Sequence, residues 1–513
     1  MDELPGFDTV EGSAPLKRAA SGEDGLPESE LRPRLKQINR KQLLLRPVDV
    51  ERLVPEEHEV RAIWEFTGPL DLTAYYQVIH AVEGKAGCSA FDPRLLISIW
   101  LYAYSKGNGS AREISRLCDY DPAYQWLTGM EPVNYHTLAD FRSSHKDALD
   151  RLFTEVLGIM SAEGLITLER VMQDGTKVKA LAGAESLRGE ERIREHLRAA
   201  EEQVRHSLDE EARRRVQKAR ERAVKERRER LEHALRELEK MNARAGKKKV
   251  STTDPDARTR KQSDGGYALA YNRQLSTDAV AGIIIDVAVS QRPDDSQELV
   301  PAVERIEERM GSAPRQVVAD GGYTSWENIA AMDRVRVDFI GSVTDRTAQM
   351  EAWFKRRGVD DSFHAGHFTY DETSDTFTCP EGKILRRNGR MKRIGRTNYM
   401  YRSRRSDCRL CPHKQQCCPG KSNMRSVVRR VEDPVPTLFV EKMKTEEAKR
   451  IYKQRGAIAE FPHAWIKDKI GLRQFRLRGL LKVGIEALWV CLTYNIQQWV
   501  RLCWRPRLAK AGV

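Results

Sequence analysis

From residue 166 onward, short apolar runs alternate with amphipathic ones, and this alternation restricts the fold more than any other feature of the sequence. Ile166 to Val178, Tyr267 to Thr277, Gly282 to Ser290, Gln316 to Asp320 and Val335 to Val343 read as strands. Gln297 to Met310 and Ser325 to Met332 read as helices, with Asp294, Asp295 and Ser296 offering caps to the first. The second and third strands are joined at Asp278-Ala-Val-Ala-Gly282, which makes them a hairpin. Strand, hairpin, helix, strand, helix, strand predicts an α/β fold, a mixed sheet flanked by helices.

The regions around this core differ in character. Residues 1–42 have no hydrophobic periodicity and are expected to be disordered. Residues 43–163 read as all-helical: Asp92-Pro93 starts a helix through the apolar run Leu95 to Tyr102, and others follow at Ala111–Cys118, His136–Ser143 and Leu149–Met160. Several short helices fit either a helix-turn-helix-like DNA-binding domain or a helical cap on the core. Residues 164–345 form the first part of the core, with a charged helical insert at 185–262. In that insert Gly189 to Lys249 is charged nearly all round and is expected to bury little, as a solvated hairpin or a phosphate-contacting basic arm. Residues 346–440 are a second insert with five cysteines, and residues 441–513 are helical.

Lysine and arginine number 88 against 75 acids, a net charge of +13, which favours nucleic acid as the partner. No membrane partner is expected, because Gly479 to Val500, the best apolar stretch, is interrupted by Lys482, Glu486 and Gln497. Met1 to Arg34 has no apolar core of a secretory leader, and nine cysteines in so long a chain are no disulfide scaffold. A cytoplasmic, nucleoid-associated protein is expected.

Two acids sit at the ends of apolar strands, Asp174 in VMQDGTK and Asp320 in VVADGGY. A carboxylate there is costly unless paired or coordinated. Followed by a glycine that lets a substrate backbone approach, it suits a hard divalent cation. Two such cations activate a water or a 3′ hydroxyl and stabilise the leaving oxygen, which requires a third acid from elsewhere. Asp-Gly is also a common turn dipeptide, so either acid alone says little.

Three blocks together resemble the DDE transposases of bacterial insertion sequences. They are Phe91–His145 (FDPRLLISIWLYAYSKG…YHTLADFRSSH), Leu168–Ala180 (LERVMQDGTKVKA), and the pair STTDPDARTRKQSDGGYALAYNRQLSTD and VVADGGYTS. The segment YKQRGAIAEFPHAWIKDKIGLRQFRLRG is similar to the family's last-acid region, and the resemblance runs from about Leu43 to Trp499. It implies an RNase H-like core behind an N-terminal helical domain. It implies Asp174, Asp320 and Glu460 as catalytic ligands of Mg2+ (or Mn2+), and Tyr452, Arg455 and Lys467 as the DNA-binding signature around the glutamate. Six residues separate Glu460 from Lys467, as in the signature, whereas the four between Arg455 and Glu460 are one more than its common form. Pro462 places Glu460 at a helix start or kink. The rival acids read differently: Glu446 and Glu447 lie on a solvated helix face, Asp286 points outward from a strand, and Asp264 is in a turn.

In the second insert, Cys379, Cys408, Cys411 and Cys417 are spaced to hold a structural Zn2+, with Cys418, His364, His367 and His413 nearby. Reduced, unligated thiols and a redox role stay open. Cys118, Cys491 and Cys503 read as core residues, and Cys88 has no evident partner. His463 reads as a packing or DNA-contact residue. The expected function is a transposase that binds terminal inverted repeats and carries out Mg2+-dependent cleavage and strand transfer on double-stranded DNA, as a homodimer or larger synaptic assembly. Two rivals are a non-catalytic DNA-binding protein derived from a transposase and a metal-dependent nuclease on the same core.

Overall fold

The structure is a computed structural model. It describes residues 47–81, 89–208, 216–245, 248–262, 264–342, 354–393, 396–419, 423–432 and 434–511, together with 38, 40, 41 and 352. Almost all of the tail expected to be disordered, and Cys88, lie outside them. Contacts divide the chain into Met1–Val48 and Asp49–Val513, and every described helix and strand belongs to the second unit.

Its main sheet is built from β1 (Arg170–Lys179), β4 (Arg258–Lys261), β5 (Tyr267–Asp278), β6 (Ile284–Ser290), β7 (Gln316–Ala319) and β8 (Asp338–Gly341); a two-residue pair, β2 (Leu187–Arg188) and β3 (Val250–Ser251), lies apart. The order is β4-β5-β1-β7-β8, with β6 pairing the other end of β5. β5 runs antiparallel to β1, β4 and β6, while β1, β7 and β8 are parallel. A mixed sheet with its first strand at the centre, helices around it and a helical region ahead of it is consistent with an RNase H-like core, as the resemblance implied.

Two strands differ from expectation. β1 begins at Arg170, not Ile166, because Leu168 turns the chain at φ +57° and the Thr167 and Leu168 N–H groups donate to Asp278 Oδ2 at 3.2 and 2.9 Å. Asp174 lies inside its strand and not at the end of it, because the pairing with β5 continues past Asp174↔Leu275 to Lys179↔Ala270. Asp286 does not point outward to solvent: it is 1% exposed and held by a two-pronged ion pair with Arg305 of the helix Leu299–Met310, at 2.7 and 3.1 Å. That helix covers the face of β6 that an alternating pattern assigns to water.

The N-terminal region contains the expected helices Pro93–Ser105, Ala111–Tyr120, Tyr135–Ser144 and Lys146–Ala162, and adds Glu59–Thr67 and Pro122–Thr128. Asp92 caps the first of them through the Arg94 N–H, with Pro93 in its first turn. The helix Leu480–Trp499 is nearly all buried and joins this region to the sheet. On one side its Asn495 side chain exchanges two hydrogen bonds with the Ile284 backbone on β6, at 2.9 and 2.7 Å. On the other its Trp489 donates to the Arg142 carbonyl at 3.2 Å. Among the described residues no helix is long and apolar enough to cross a membrane.

The charged stretch buries more than its composition suggests. The helices Glu190–Leu208 and Val216–Ala245 enclose an apolar seam of Ile193, Ala200, Leu231, Ala234, Leu235 and Leu238, and His233 bonds Asp256 of the core at 2.8 Å. The second insert has a separate antiparallel sheet, β9 (Thr369–Asp371), β10 (Thr376–Thr378), β11 (Ile384–Arg393), β12 (Arg396–Arg402) and β13 (Ser426–Glu432), with an apolar cluster of its own around Phe363, Phe377, Leu385 and Tyr401.

Candidate active site

The ladder between β1 and β7 ends at the pair Gln173↔Ala319, so the next residue on each strand is an acid, Asp174 and Asp320. Neighbouring parallel strands thus bring together two carboxylates that stand 146 positions apart in the sequence. Asp320 leaves its strand in a turn, its Oδ1 accepting the Gly322 N–H at 2.7 Å.

A third element completes the site. The helix Glu446–Asp468 lies across β1, β7 and β8, held by Ala448, Ile451 and Ala459 against Met172, Val318 and Ile340. The next turn of this helix presents Glu460 and His463. The helix runs continuously through Pro462, so Glu460 is not at a helix start, one of the two placements expected for it. The proline sits on the buried face with Ala459, His463 and Ile466, whose packing outweighs the one backbone hydrogen bond a proline removes.

Asp174, Asp320 and Glu460 all line one open cleft of about 510 Å3, together with Arg455, His463 and Lys467. Arg455 stands between two of the acids, 3.5 Å from Asp174 Oδ1 and 3.8 Å from Glu460 Oε1. His463 Nε2 is 3.7 Å from Asp174 Oδ2, and its Nδ1 is 3.0 Å from Arg273. Lys467 Nζ donates to Thr176 Oγ1 at 2.8 Å. Tyr452 does not line the cleft; it is half-buried in the apolar cluster beneath the helix, its ring centroid 5.9 Å from the Arg455 guanidinium carbon.

Electrostatics mark Asp174 as the constrained acid. Burial pushes its carboxyl up to about 6, against the opposing pull of Arg455, and the charges of Asp320 and Asp295 add to the rise. Burial beside Arg273 and Lys467 holds His463 well below the usual histidine range, so the ring is neutral and no general acid at neutral pH. Burial and Arg273 also lower Lys467.

The glycine after Asp174 does not open space for a substrate. A Cβ on Gly175 would lie 2.4 Å from Gln274 Nε2, 2.7 Å from Asp295 Oδ1 and 3.0 Å from the Tyr323 hydroxyl. These side chains form a polar floor under the acids. Gln274 Nε2 and Asn272 Nδ2 donate to Asp295 Oδ1 at 2.6 and 2.7 Å, and Gln173 Nε2 and the Tyr323 hydroxyl donate to Gln274 Oε1, the former at 2.8 Å.

Asp295 was expected to cap the helix after β6. That helix has Glu298 at its N-cap with no side-chain cap, and Asp295 turns toward the site instead. Nothing in RPDDSQE separates it from a turn acid. The other rivals stay where expected: Glu446 and Glu447 are exposed in the first helical turn, and Asp264 accepts the Gly266 N–H in a turn.

Three carboxylates facing an open cleft, one of them mostly buried with its nearest cationic group, Arg455, 3.5 Å away, are a hard-oxygen donor set that fits a magnesium-type cation. Their oxygens are not all within 4.8 Å of one another. The Glu460 side chain is 66% exposed.

In the second insert Cys379, Cys408, Cys411, Cys417 and Cys418 line a single cavity of about 20 Å3 with the buried Arg425. The Lys383 N–H donates to Cys379 Sγ at 3.2 Å, and burial pushes Cys417 up to about 12. Cys118 and Cys491 are buried as expected, while Cys503 is only partly so. Among the described residues the one group whose ligand atoms all lie within 4.8 Å of one another is His233, Glu237 and Asp256; the cysteine sulfurs do not meet that spacing. There Glu237 already holds Arg258 and Lys240, so the cluster reads as the anchor of the charged helices.

Residues 378–500 match the family model described as Transposase DDE domain, and residues 48–144 match that described as Transposase domain (DUF772). Glu460, Tyr452, Arg455 and Lys467 lie in the first match; Asp174 and Asp320 lie outside both. No curated protein matches the chain.

Proposed function

We propose that this chain, by family a DDE transposase of the insertion-sequence kind, binds the terminal inverted repeats of its element, cleaves a DNA strand there and joins the freed end to target DNA. The observation that carries the reading is the convergence of Asp174, Asp320 and Glu460, from two strands and a helix, on one cleft that is also lined by Arg455 and Lys467. Asp174, Asp320 and Glu460 would hold Mg2+ or Mn2+, Glu460 from the exposed side of the cleft. When bound, a cation pair lowers the pKa of the attacking water or 3′ hydroxyl and stabilises the leaving oxygen.

The protein's own groups supply the rest. Lys467 and Arg455 hold phosphate oxygens of the strand being cut, and Tyr452 supports Arg455 from beneath. Neutral His463 fills the space behind Asp174 without neutralising it. In cleavage, water attacks the phosphorus and the 3′ oxygen leaves, taking up a proton; in strand transfer, that 3′ hydroxyl loses its proton and attacks a target phosphorus, whose own 3′ oxygen leaves as a new 3′ hydroxyl. The N-terminal helical region is the reader of the repeat, and joining two ends calls for at least two protomers. The cysteine cavity is read as a structural Zn2+ site at Cys379, Cys408, Cys411 and Cys417, supported by the N–H bond to Cys379 and by Arg425, a buried cation whose hydrogen-bond acceptors among the described residues are backbone carbonyls.

The test is incubation of the full chain with end-containing DNA and Mg2+, beside Asp174→Asn. Nicking and joining by the wild type alone supports the reading. Binding without nicking in either protein favours the non-catalytic rival, and nicking without joining of pre-cleaved ends favours the nuclease.

A further inference from the structure

The positive charge of this chain is concentrated in one place. Residues 378–432 hold sixteen lysines and arginines against three acids, an excess of thirteen that equals the net charge of the entire chain. The remaining residues balance at 72 of each sign. Residues 48–144, the helical region, hold eight basic residues against fourteen acids. Sequence-independent affinity for a duplex comes from neutralised phosphates. An acidic helical region is poorly suited to supply it, whatever it reads on the bases.

The fold displays this charge instead of pairing it. β11 and β12 place Arg386 directly opposite Arg402. Like charges facing each other across strands destabilise a sheet. Arg386, Arg390, Arg404, Arg405 and Arg409 are all exposed, and among the described residues none has a carboxylate partner. By contrast Arg387, on the same strand, is paired with Asp375 at 2.9 Å. A sheet that keeps unpaired, mutually repelling arginines is stabilised by a polyanion laid across it, and a B-form duplex offers one negative charge per ~1.7 Å of axis.

We infer that the sheet of the second insert and its 404–409 segment form the main DNA-backbone interface of this protein, taking double-stranded DNA by its phosphates and without regard to sequence. The identity of the polyanion rests on the transposase reading; the location of the interface does not.

The test uses the full chain and equilibrium binding to a duplex over a range of salt concentrations. Three proteins are compared: the wild type, a variant with Arg386, Arg390, Arg404, Arg405 and Arg409 all changed to Gln, and one with the same five changed to Lys. Each arginine that contacts a phosphate contributes about 0.9 to the slope of log K against log salt. The Gln variant is therefore expected to lose up to about 4.5 from that slope, and the Lys variant to keep it. Arg315→Gln with Arg334→Gln, two exposed arginines of the core, is expected to leave it unchanged. A Gln variant with the wild-type slope overturns the inference, as does equal loss in the Gln and Lys variants. Tighter binding of RNA than of duplex DNA by the wild type overturns the choice of partner. A wild type that binds no DNA refutes the transposase reading, whereas one that cleaves ends while the Gln variant keeps its slope refutes only the interface.

Discussion

Asp174 should make the metal-free protein less stable than it could be. Its carboxyl is raised from 3.8 to about 6, burial being the largest cause. Because the folded chain binds this proton more tightly than the unfolded one, the group favours folding below pH 3.8. That contribution is lost as the pH rises to about 6. Above pH 6 the ionised carboxylate costs about 3 kcal/mol relative to a neutral group in its place. Its side chain is 15% exposed, so solvent screening removes only part of this. Asp174→Asn retains the shape, removes the charge and leaves Arg455 paired with Glu460 alone. At pH 7.5 without divalent cations it is expected to be more stable than the wild type by about 1–3 kcal/mol in urea denaturation. Saturating Mg2+ should then stabilise the wild type and leave the variant unchanged, since only the former has the complete site. The variant should neither nick nor join DNA. A variant less stable than the wild type in chelator, or stabilised equally by Mg2+, would refute the reasoning.

Three other perturbations probe particular contacts. Gly175→Ala forces a Cβ to within 2.4 Å of Gln274 Nε2 and 2.7 Å of Asp295. It should cost about 1–3 kcal/mol in denaturation and sharply reduce strand cleavage by displacing Asp174; wild-type activity would show that the polar floor does not position the acid. Asp286→Ala leaves Arg305, whose side chain is 31% exposed, without its partner and should cost about 1–3 kcal/mol, measured the same way, while no measurable loss would contradict the ion pair described. Metal analysis of the purified protein should give one zinc per chain, lost in Cys408→Ser. Without zinc, Cys417, pushed up to about 12, stays protonated and should react slowly with alkylating reagents at pH 8.

How much of the fold and site was legible in the sequence varies from element to element. The succession of strands and helices along the chain could be anticipated because hydrophobic period and turn chemistry are local properties, and the hairpin of β5 and β6 is an example. Asp174 and Asp320 were recognisable as acids at the ends of apolar runs, although Asp174 proves internal to β1, and their adjacency is a product of parallel pairing between β1 and β7, which no local signal carries. Pro462 argued for a helix break that tertiary packing overrides. Asp286 was misassigned because alternation cannot reveal a helix that covers the second face of β6. Asp295 escaped because its role depends on Asn272 and Gln274, two strand residues whose side chains reach it only in the folded sheet. The charged helices bury a seam because a few alanines and leucines, diluted by arginine and glutamate, still recur at helical spacing.

The central claim is that Asp174, Asp320 and Glu460 hold the same divalent cations. The most direct measurement is anomalous diffraction from crystals of the protein with an end-containing duplex and Mn2+. The account predicts manganese peaks about 2.0–2.3 Å from oxygens of all three acids, with the Glu460 side chain swung inward from its exposed position. Peaks bound by Asp174 and Asp320 while Glu460 stays with Arg455 and an unrelated group completes the shell would contradict it.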